Sequence, residues 1–142
     1  MPKSKRLRLV IDTNIWISFL ISNRLRKIDS LLLSETLHFL FSKELLDEIN
    51  STIAKPKLQK YFSANALEEM LLALEPYIDF VEVKSKVNVC RDPKYNFLLA
   101  LAKDGKAHYL LTGDKDLLDL EKFGKTRIVT ITYFLEETKD NR

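Results

Sequence analysis

The sequence predicts a three-layer α/β/α domain, a parallel sheet with helices on both faces. Short apolar runs alternate with stretches of helical periodicity along the chain, the order expected of strands joined by helical crossovers. The runs are apolar almost throughout, as in strands buried on both sides. The chain has 142 residues, 46% hydrophobic and 30% charged, enough for one core and too few for two. A single domain over residues 1–142 is therefore expected.

Leu7-Arg8-Leu9-Val10-Ile11 is β-rich and stops at Asp12; Ile15, Phe19 and Leu20 then recur at helical spacing, so a helix follows at once. Arg24 to Leu33 reads as a second helix. Leu37 to Phe41 is the second strand, stopped by Ser42, a good N-cap for a helix with Leu45, Leu46 and Ile49 on its apolar stripe. Pro56 breaks that segment, and Lys57 to Phe62 forms another helical turn. Ser63 or Asn65 starts a helix through Leu67, Met70, Leu71 and Leu74 that stops near Pro76. Ile78 to Val83 is the third strand. Asp92-Pro93 opens a helix, Asp as N-cap and Pro at the first position, where its missing N–H costs nothing. That helix buries Phe97, Leu98, Leu101 and Ala102 and runs to Gly105. His108 to Thr112 is the fourth strand, followed by Gly113-Asp114-Lys115-Asp116 and a short helix. Arg127 to Thr132 is the fifth strand, and Tyr133 to Glu137 a closing turn.

Composition excludes several functions. The three glycines, Gly105, Gly113 and Gly124, stand alone, so there is no Gly-rich loop to cradle phosphates, and a Rossmann or P-loop nucleotide enzyme is not expected. The net charge is +3, with basic residues grouped at Lys3, Lys5, Arg6 and Arg8, at Arg24, Arg26 and Lys27, and at Lys55, Lys57 and Lys60. Such groups permit a nucleic-acid backbone as partner without identifying one. The single cysteine, Cys90, forms no internal disulfide, which fits a reducing cytoplasm. Leu9 to Ile21 mimics a signal or membrane segment, but Asp12 and Asn14 interrupt it, and a central Asp costs roughly 2.5–3.5 kcal/mol on insertion. No membrane association is expected, and the predicted location is cytoplasmic.

Ligands of open α/β sheets sit at the carboxyl ends of strands, near a topological switch point. Asp12 follows the first strand directly, and Asp114 follows the fourth after a glycine. Glu48 lies in the helix after the second strand, Asp92 before the helix that feeds the fourth, and Asp116 two residues beyond Asp114. Singly, each is explained as a cap or a solvated helix residue. Together they are a carboxylate cluster, which raises its own pKa values unless a cation compensates it. Oxygen donors at a site without His or Cys favour Mg²⁺ or Mn²⁺ over zinc. His38 and His108 have no ligand spacing and read as structural.

At these residues the chain resembles the PIN-domain ribonucleases. Asp12-Thr13-Asn14 is similar to the family's opening motif, and Ser42-Lys43-Glu44-Leu45-Leu46-Asp47-Glu48-Ile49 to its second acidic motif. Arg91-Asp92-Pro93-Lys94 and Thr112-Gly113-Asp114-Lys115-Asp116-Leu117-Leu118 resemble the third and fourth, the last being the most specific. The likeness covers essentially the whole chain and is nearest to PIN proteins of the VapC-like type, toxins of toxin–antitoxin pairs. It implies a five-stranded parallel sheet and Mg²⁺- or Mn²⁺-dependent in-line hydrolysis of RNA. It makes Asp12, Glu48 and Asp114 metal ligands, Asp116 a supporting acid, and Asn14 and Thr112 polar supports of Asp12 and Asp114. An antitoxin and a homodimer are implied partners.

The resemblance departs at one position. The family reads Asp-Pro-Lys-Asp-Asn where this chain has Asp92-Pro93-Lys94-Tyr95-Asn96, so Tyr95 stands in place of a catalytic acid. A phenol with a pKa near 10 is a poor Mg²⁺ ligand. Asp92, mainly an N-cap, is the nearest carboxylate that could substitute. Two readings stay open: a ribonuclease weakened at Tyr95, and an impaired PIN domain that binds RNA or protein. A haloacid-dehalogenase-like phosphatase also places an Asp after its first strand. It needs a second Asp two residues on, where this chain has Asn14.

Overall fold

The computed structural model describes residues 6–22 and 37–138; the expected helix from Arg24 to Leu33 lies outside them. Strand β1 (Leu7–Ile11) ends at Asp12, and α1 (Thr13–Ser22) leaves directly from that corner. Strand β2 (Leu37–Phe41) ends at Ser42, whose Oγ accepts the Leu45 N–H at 3.2 Å and starts α2 (Lys43–Ile53). Both strands have the bounds the apolar pattern predicts, because in each case a polar residue takes over the backbone as the run ends.

Next come α3 (Pro56–Gln59), α4 (Ala66–Leu74), a 3₁₀ turn (Glu75–Tyr77) and β3 (Ile78–Phe80). A second 3₁₀ turn (Pro93–Tyr95), capped by Asp92, runs into α5 (Asn96–Asp104). Strand β4 (Tyr109–Leu111) is followed by α6 (Lys115–Leu118), β5 (Lys122–Phe123), β6 (Thr126–Val129) and α7 (Ile131–Thr138).

The strands form one sheet in the order β3-β2-β1-β4-β6-β5. All adjacent pairs are parallel except β5 with β6. The chain winds outward from β1 to β3, then returns to set β4 on the other side of β1. The switch point therefore lies between β1 and β4, the position that favours a ligand at the strand ends.

Several boundaries differ from the sequence expectation; β4, for one, spans Tyr109–Leu111 rather than His108 to Thr112. The five parallel strands are joined by a sixth, two-residue antiparallel strand, β5, paired to β6 through a two-residue turn. Gly124 opens that turn at φ +58°, a geometry glycine adopts without strain. Strand β3 stops at Phe80 rather than Val83, because the chain beyond it bonds to a helix. The Asp104 carboxylate accepts the N–H groups of Lys84 (2.6 Å) and Ser85 (2.8 Å) and the Ser85 hydroxyl. Strand β6 stops at Val129, and Thr130 caps α7 by accepting the Tyr133 N–H on its Oγ1 at 3.0 Å.

Two aromatic residues of β2 meet α1 in the core. Trp16 lies 5.3 Å from Phe39 and 5.0 Å from Phe41 between ring centroids, and all three are fully buried. Burial of this kind is worth about 1.5–3 kcal/mol per large side chain. It fixes the helix that begins at Asp12. On the sheet's other side Gly105 ends α5, where a Cβ would stand 2.6 Å from Leu40 Cδ1. The glycine is thus fixed by packing, and the left-handed residue that ends the helix is Lys106, at φ 54°. That conformation costs a non-glycine residue roughly 1–2 kcal/mol. Among the described residues no helix is long and apolar enough to cross a membrane.

Candidate active site

The Asp12 N–H donates to the Leu111 carbonyl at 2.9 Å, which ties the β1 corner to the end of β4. The side chain is 2% exposed. Its carboxylate accepts the Thr112 hydroxyl at 2.6 Å on Oδ2 and the Asn14 N–H at 3.2 Å on Oδ1. Thr112 Oγ1 in turn accepts the Asp114 N–H at 3.0 Å. One buried hydroxyl thus relays from the Asp114 backbone to the Asp12 carboxylate. The Asp114 carboxylate, partly buried, caps α6 by accepting the Leu117 N–H at 3.2 Å.

Burial pushes the Asp12 carboxyl above its ordinary range. The Thr112 and Asn14 hydrogen bonds oppose this, the Asp114 charge adds to it, and Lys94 offsets it slightly. A buried acid in this state favours either a proton or a cation beside it.

Tyr95 stands third in the turn capped by Asp92, and it lines two adjoining cavities. One, about 410 Å³, holds Asp12, Asn14, Ser18, Gly113 and Asp114 with Tyr95. The other, about 220 Å³, holds Asp12, Thr13, Glu48, Lys55 and Lys94 with Tyr95. Asp12, Asn14 and Tyr95 belong to both, so they are the shared wall between an Asp114 half and a Glu48 half. The Tyr95 phenol is pushed up to about 12, first by burial, then by its hydrogen bond to Asp114 and by the charges of Asp114, Asp12 and Asp92. At any physiological pH it is a neutral phenol beside the Asp114 carboxylate in the larger cavity.

The other acids are placed differently. Asp116 accepts Arg91 Nε at 2.8 Å, while Asp119 accepts Arg91 Nη2 at 2.7 Å. Asp92 caps its turn by accepting the Lys94 N–H at 3.2 Å. Neither Asp92 nor Asp116 is among the residues lining the two cavities. Glu48 lines the smaller cavity from an exposed position on α2. Among the described residues no three His, Cys, Asp or Glu side chains stand close enough to hold one cation together.

Several residues of the cleft are not evident from the sequence. Lys94 Nζ lies 5.1 Å from the Tyr95 ring centroid, and Lys55 reaches the same cavity from beyond α2. Thr13 Oγ1 is buried without a hydrogen-bond partner and lines the Glu48 half. Asn96 Oδ1 accepts the Cys90 N–H at 2.9 Å and so holds the loop before Asp92. Cys90 is buried, which raises its thiol pKa. His38 bonds Asp79 (3.1 Å), and His108 Nδ1 accepts the Arg8 N–H (3.0 Å), both away from the cleft.

A carboxylate-walled cleft at the switch point of an open, mostly parallel sheet defines the class: an α/β protein with its candidate site at the strand ends. The model of the PIN domain matches residues 8–116, and the chain belongs to that family, whose members are in general nucleases. It is also similar to an uncharacterized protein of Methanocaldococcus jannaschii, 35% identical over 123 residues, which span 84% of this chain and 79% of that protein.

Proposed function

We propose that this chain is a single-domain, Mg²⁺- or Mn²⁺-dependent endoribonuclease acting in the cytoplasm as the toxin of a toxin–antitoxin pair. The observation that supports it most is the sharing of one cleft by Asp12 and Asp114, coupled through Thr112. The donor set fits the ion. It is all oxygen, and Mg²⁺ is commonly bound by one or two carboxylates together with waters and substrate phosphates. The raised pKa of Asp12 is the strain that a cation relieves. When bound, such an ion supplies Lewis acidity and positive charge for in-line attack on a phosphodiester.

The chain's own residues do the rest. Asp12 and Asp114 would hold the ion, with waters and substrate phosphate oxygens filling its remaining positions, while Glu48 stands in the adjoining half beside the lysines. Thr112 and the Asn14 backbone keep Asp12 oriented. Lys94 and Lys55 hold the RNA phosphates beside the acids. Asp92 shapes the turn, and Asp116 holds Arg91 against α6. The toxin role, the antitoxin and a homodimer rest on the likeness to the VapC-like branch.

Cleavage of single-stranded RNA by the purified chain, with and without Mn²⁺, tests this reading, with Asp12→Ala as the control for contaminating nuclease. Metal-dependent cleavage lost in Asp12→Ala supports it. A second reading, an impaired PIN domain that binds RNA or protein, is favoured by the Tyr95 phenol bonded to Asp114. RNA binding without cleavage in either protein would establish that reading instead.

A further inference from the structure

At the opposite end of the sheet, where β1, β4 and β6 begin, lies a cavity of about 590 Å³, larger than either half of the cleft. Arg8, Lys103, Lys106 and Lys125 line it, with Ala107 and Phe123 on its apolar wall, and no carboxylate is among the lining residues. It shares no residue with the acid cleft.

The charge at this site is organised. The carbonyl end of α5 would otherwise present a negative dipole to the cavity. Arg8 Nε is fixed on it, donating to the carbonyls of Gly105 (3.2 Å) and Lys106 (2.9 Å). The three lysines are left over: among the described residues none of Lys103, Lys106 and Lys125 forms an ion pair. Asp104, beside Lys103, is already engaged by Lys84 and Ser85. Lys106 occupies the left-handed position at φ 54°, where glycine is the unstrained choice.

We propose that this cavity binds a mononucleotide, its phosphate on the ammonium groups of Lys106 and Lys125 and its base against the Phe123 ring. The volume is that of a small-molecule site, with apolar walls and a few polar groups at the rim. Lysine ammonium groups bind phosphate as point charges, and an aromatic ring gives a base the π-face it stacks on. An acidic peptide would satisfy the charges and leave the apolar wall unused. A nucleotide uses both. The site is separate from the nuclease cleft, since the two share no lining residue.

The full chain, titrated with adenosine 5′-monophosphate by calorimetry and by amide resonance shifts, tests this. Saturable binding is expected, with shifts at the starts of β1, β4 and β6. Adenosine and inorganic phosphate should each bind at least about tenfold more weakly. Lys106→Gly removes the ammonium and relieves the left-handed strain. It should weaken nucleotide binding about tenfold or more, with the melting temperature held or raised. Lys125→Ala should weaken binding similarly, and Asp12→Ala should leave it unchanged. Equal affinity in wild type, Lys106→Gly and Lys125→Ala overturns the proposal. So does loss of binding in Asp12→Ala, which would assign the ligand to the acid cleft. Binding of adenosine or of a glutamate-rich peptide as tight as that of the nucleotide overturns it too.

Discussion

The two halves of the acid cleft share Asp12, Asn14 and Tyr95 and differ in everything else. The Asp114 half adds an acid, Ser18 and the apolar side chains of Ile15, Phe19 and Ile131, and has no cation in its lining. The Glu48 half adds an acid, two cations in Lys55 and Lys94, and a buried hydroxyl without a partner in Thr13. A pocket of carboxylates without lysine favours a metal ion; a pocket of lysines beside a carboxylate favours a phosphate next to that ion. The difference suggests a division of labour across one residue's width. Tyr95 sits on the dividing line, its neutral phenol beside Asp114, at the position where the likeness to PIN ribonucleases leads to the expectation of an acid.

The largest effect should come from the residue both halves share. Asp12→Ala removes the buried carboxylate on which Thr112 and Asn14 converge. Loss of a mere supporting partner typically costs 10–100-fold in metal affinity or activity. Removing the carboxylate itself should therefore cost at least about 100-fold in Mn²⁺ affinity and in RNA cleavage. Mn²⁺ titration followed by electron paramagnetic resonance measures the first, and single-turnover cleavage the second. Equal Mn²⁺ binding in wild type and variant would remove Asp12 from the site and break the division at its centre.

Converting the divider comes next. Tyr95→Asp should bind Mn²⁺ more tightly and cleave single-stranded RNA at least about tenfold faster than wild type. The new carboxylate lies in the first turn after the Asp92 cap, where the helix dipole favours negative charge. It also removes the phenol from Asp114 and opens one half to the other. The double variant Asp12→Ala, Tyr95→Asp should be inactive. If wild type already cleaves as fast as Tyr95→Asp, the divider is no obstacle, and the set is complete with the acids present.

Much of this was legible in the sequence, and the parts that were not share a cause. Strands β1 and β2 were readable because Asp12 and Ser42 end them sharply, and Asp114 because a strand end and a glycine precede it. The two-residue β5 is too short to show a period, and the early end of β3 depends on Asp104, more than twenty residues further along the chain. The cleft's composition depends on which helix faces meet. Asp116 reads as a site acid from spacing alone, yet Arg91 claims it. Lys55 reads only as one of a basic group, and Lys94 and Thr13 only as members of motifs, until folding places them on one cavity. Local pattern reports where a side chain begins; the neighbours it meets are long-range facts.

A smaller effect is expected in the Glu48 half. Lys94→Ala should raise KM for RNA several-fold with kcat little changed, because a phosphate contact binds ground state and transition state alike. The slope of log affinity against log salt should become shallower by about 0.7, the value for one phosphate contact on a single strand. A fall in kcat at constant KM would move Lys94 from phosphate holding to the chemistry, and would erase the distinction between the halves.

The smallest effect concerns stability without metal, and its sign distinguishes Asp12 from an ordinary paired acid. Folding raises the Asp12 carboxyl above its reference value of 3.8, so between that value and the folded pKa the native state binds more protons than the unfolded chain. Stability therefore falls as pH rises through this window, and the penalty is complete above the folded pKa. A carboxylate whose pKa is lowered by folding would do the opposite. Asp12→Asn cannot lose the proton and should lack this component. The variant's stability advantage over wild type should then grow as pH rises from below 3.8 and level off above the folded pKa. The change shows as a pH-dependent gap in melting temperature between the two proteins. Altered hydrogen bonding to Thr112 adds a constant offset, so the pH dependence of the difference isolates the titration. Adding Mn²⁺ at a hundred times its dissociation constant should stabilise wild type by about 2.7 kcal/mol, opposing the penalty, and should leave Asp12→Asn nearly unmoved. A difference curve flat from pH 3 to 7, with equal Mn²⁺ stabilisation of both proteins, would mean that Asp12 keeps its ordinary pKa and holds no ion, and that the two halves of the cleft are not joined through it.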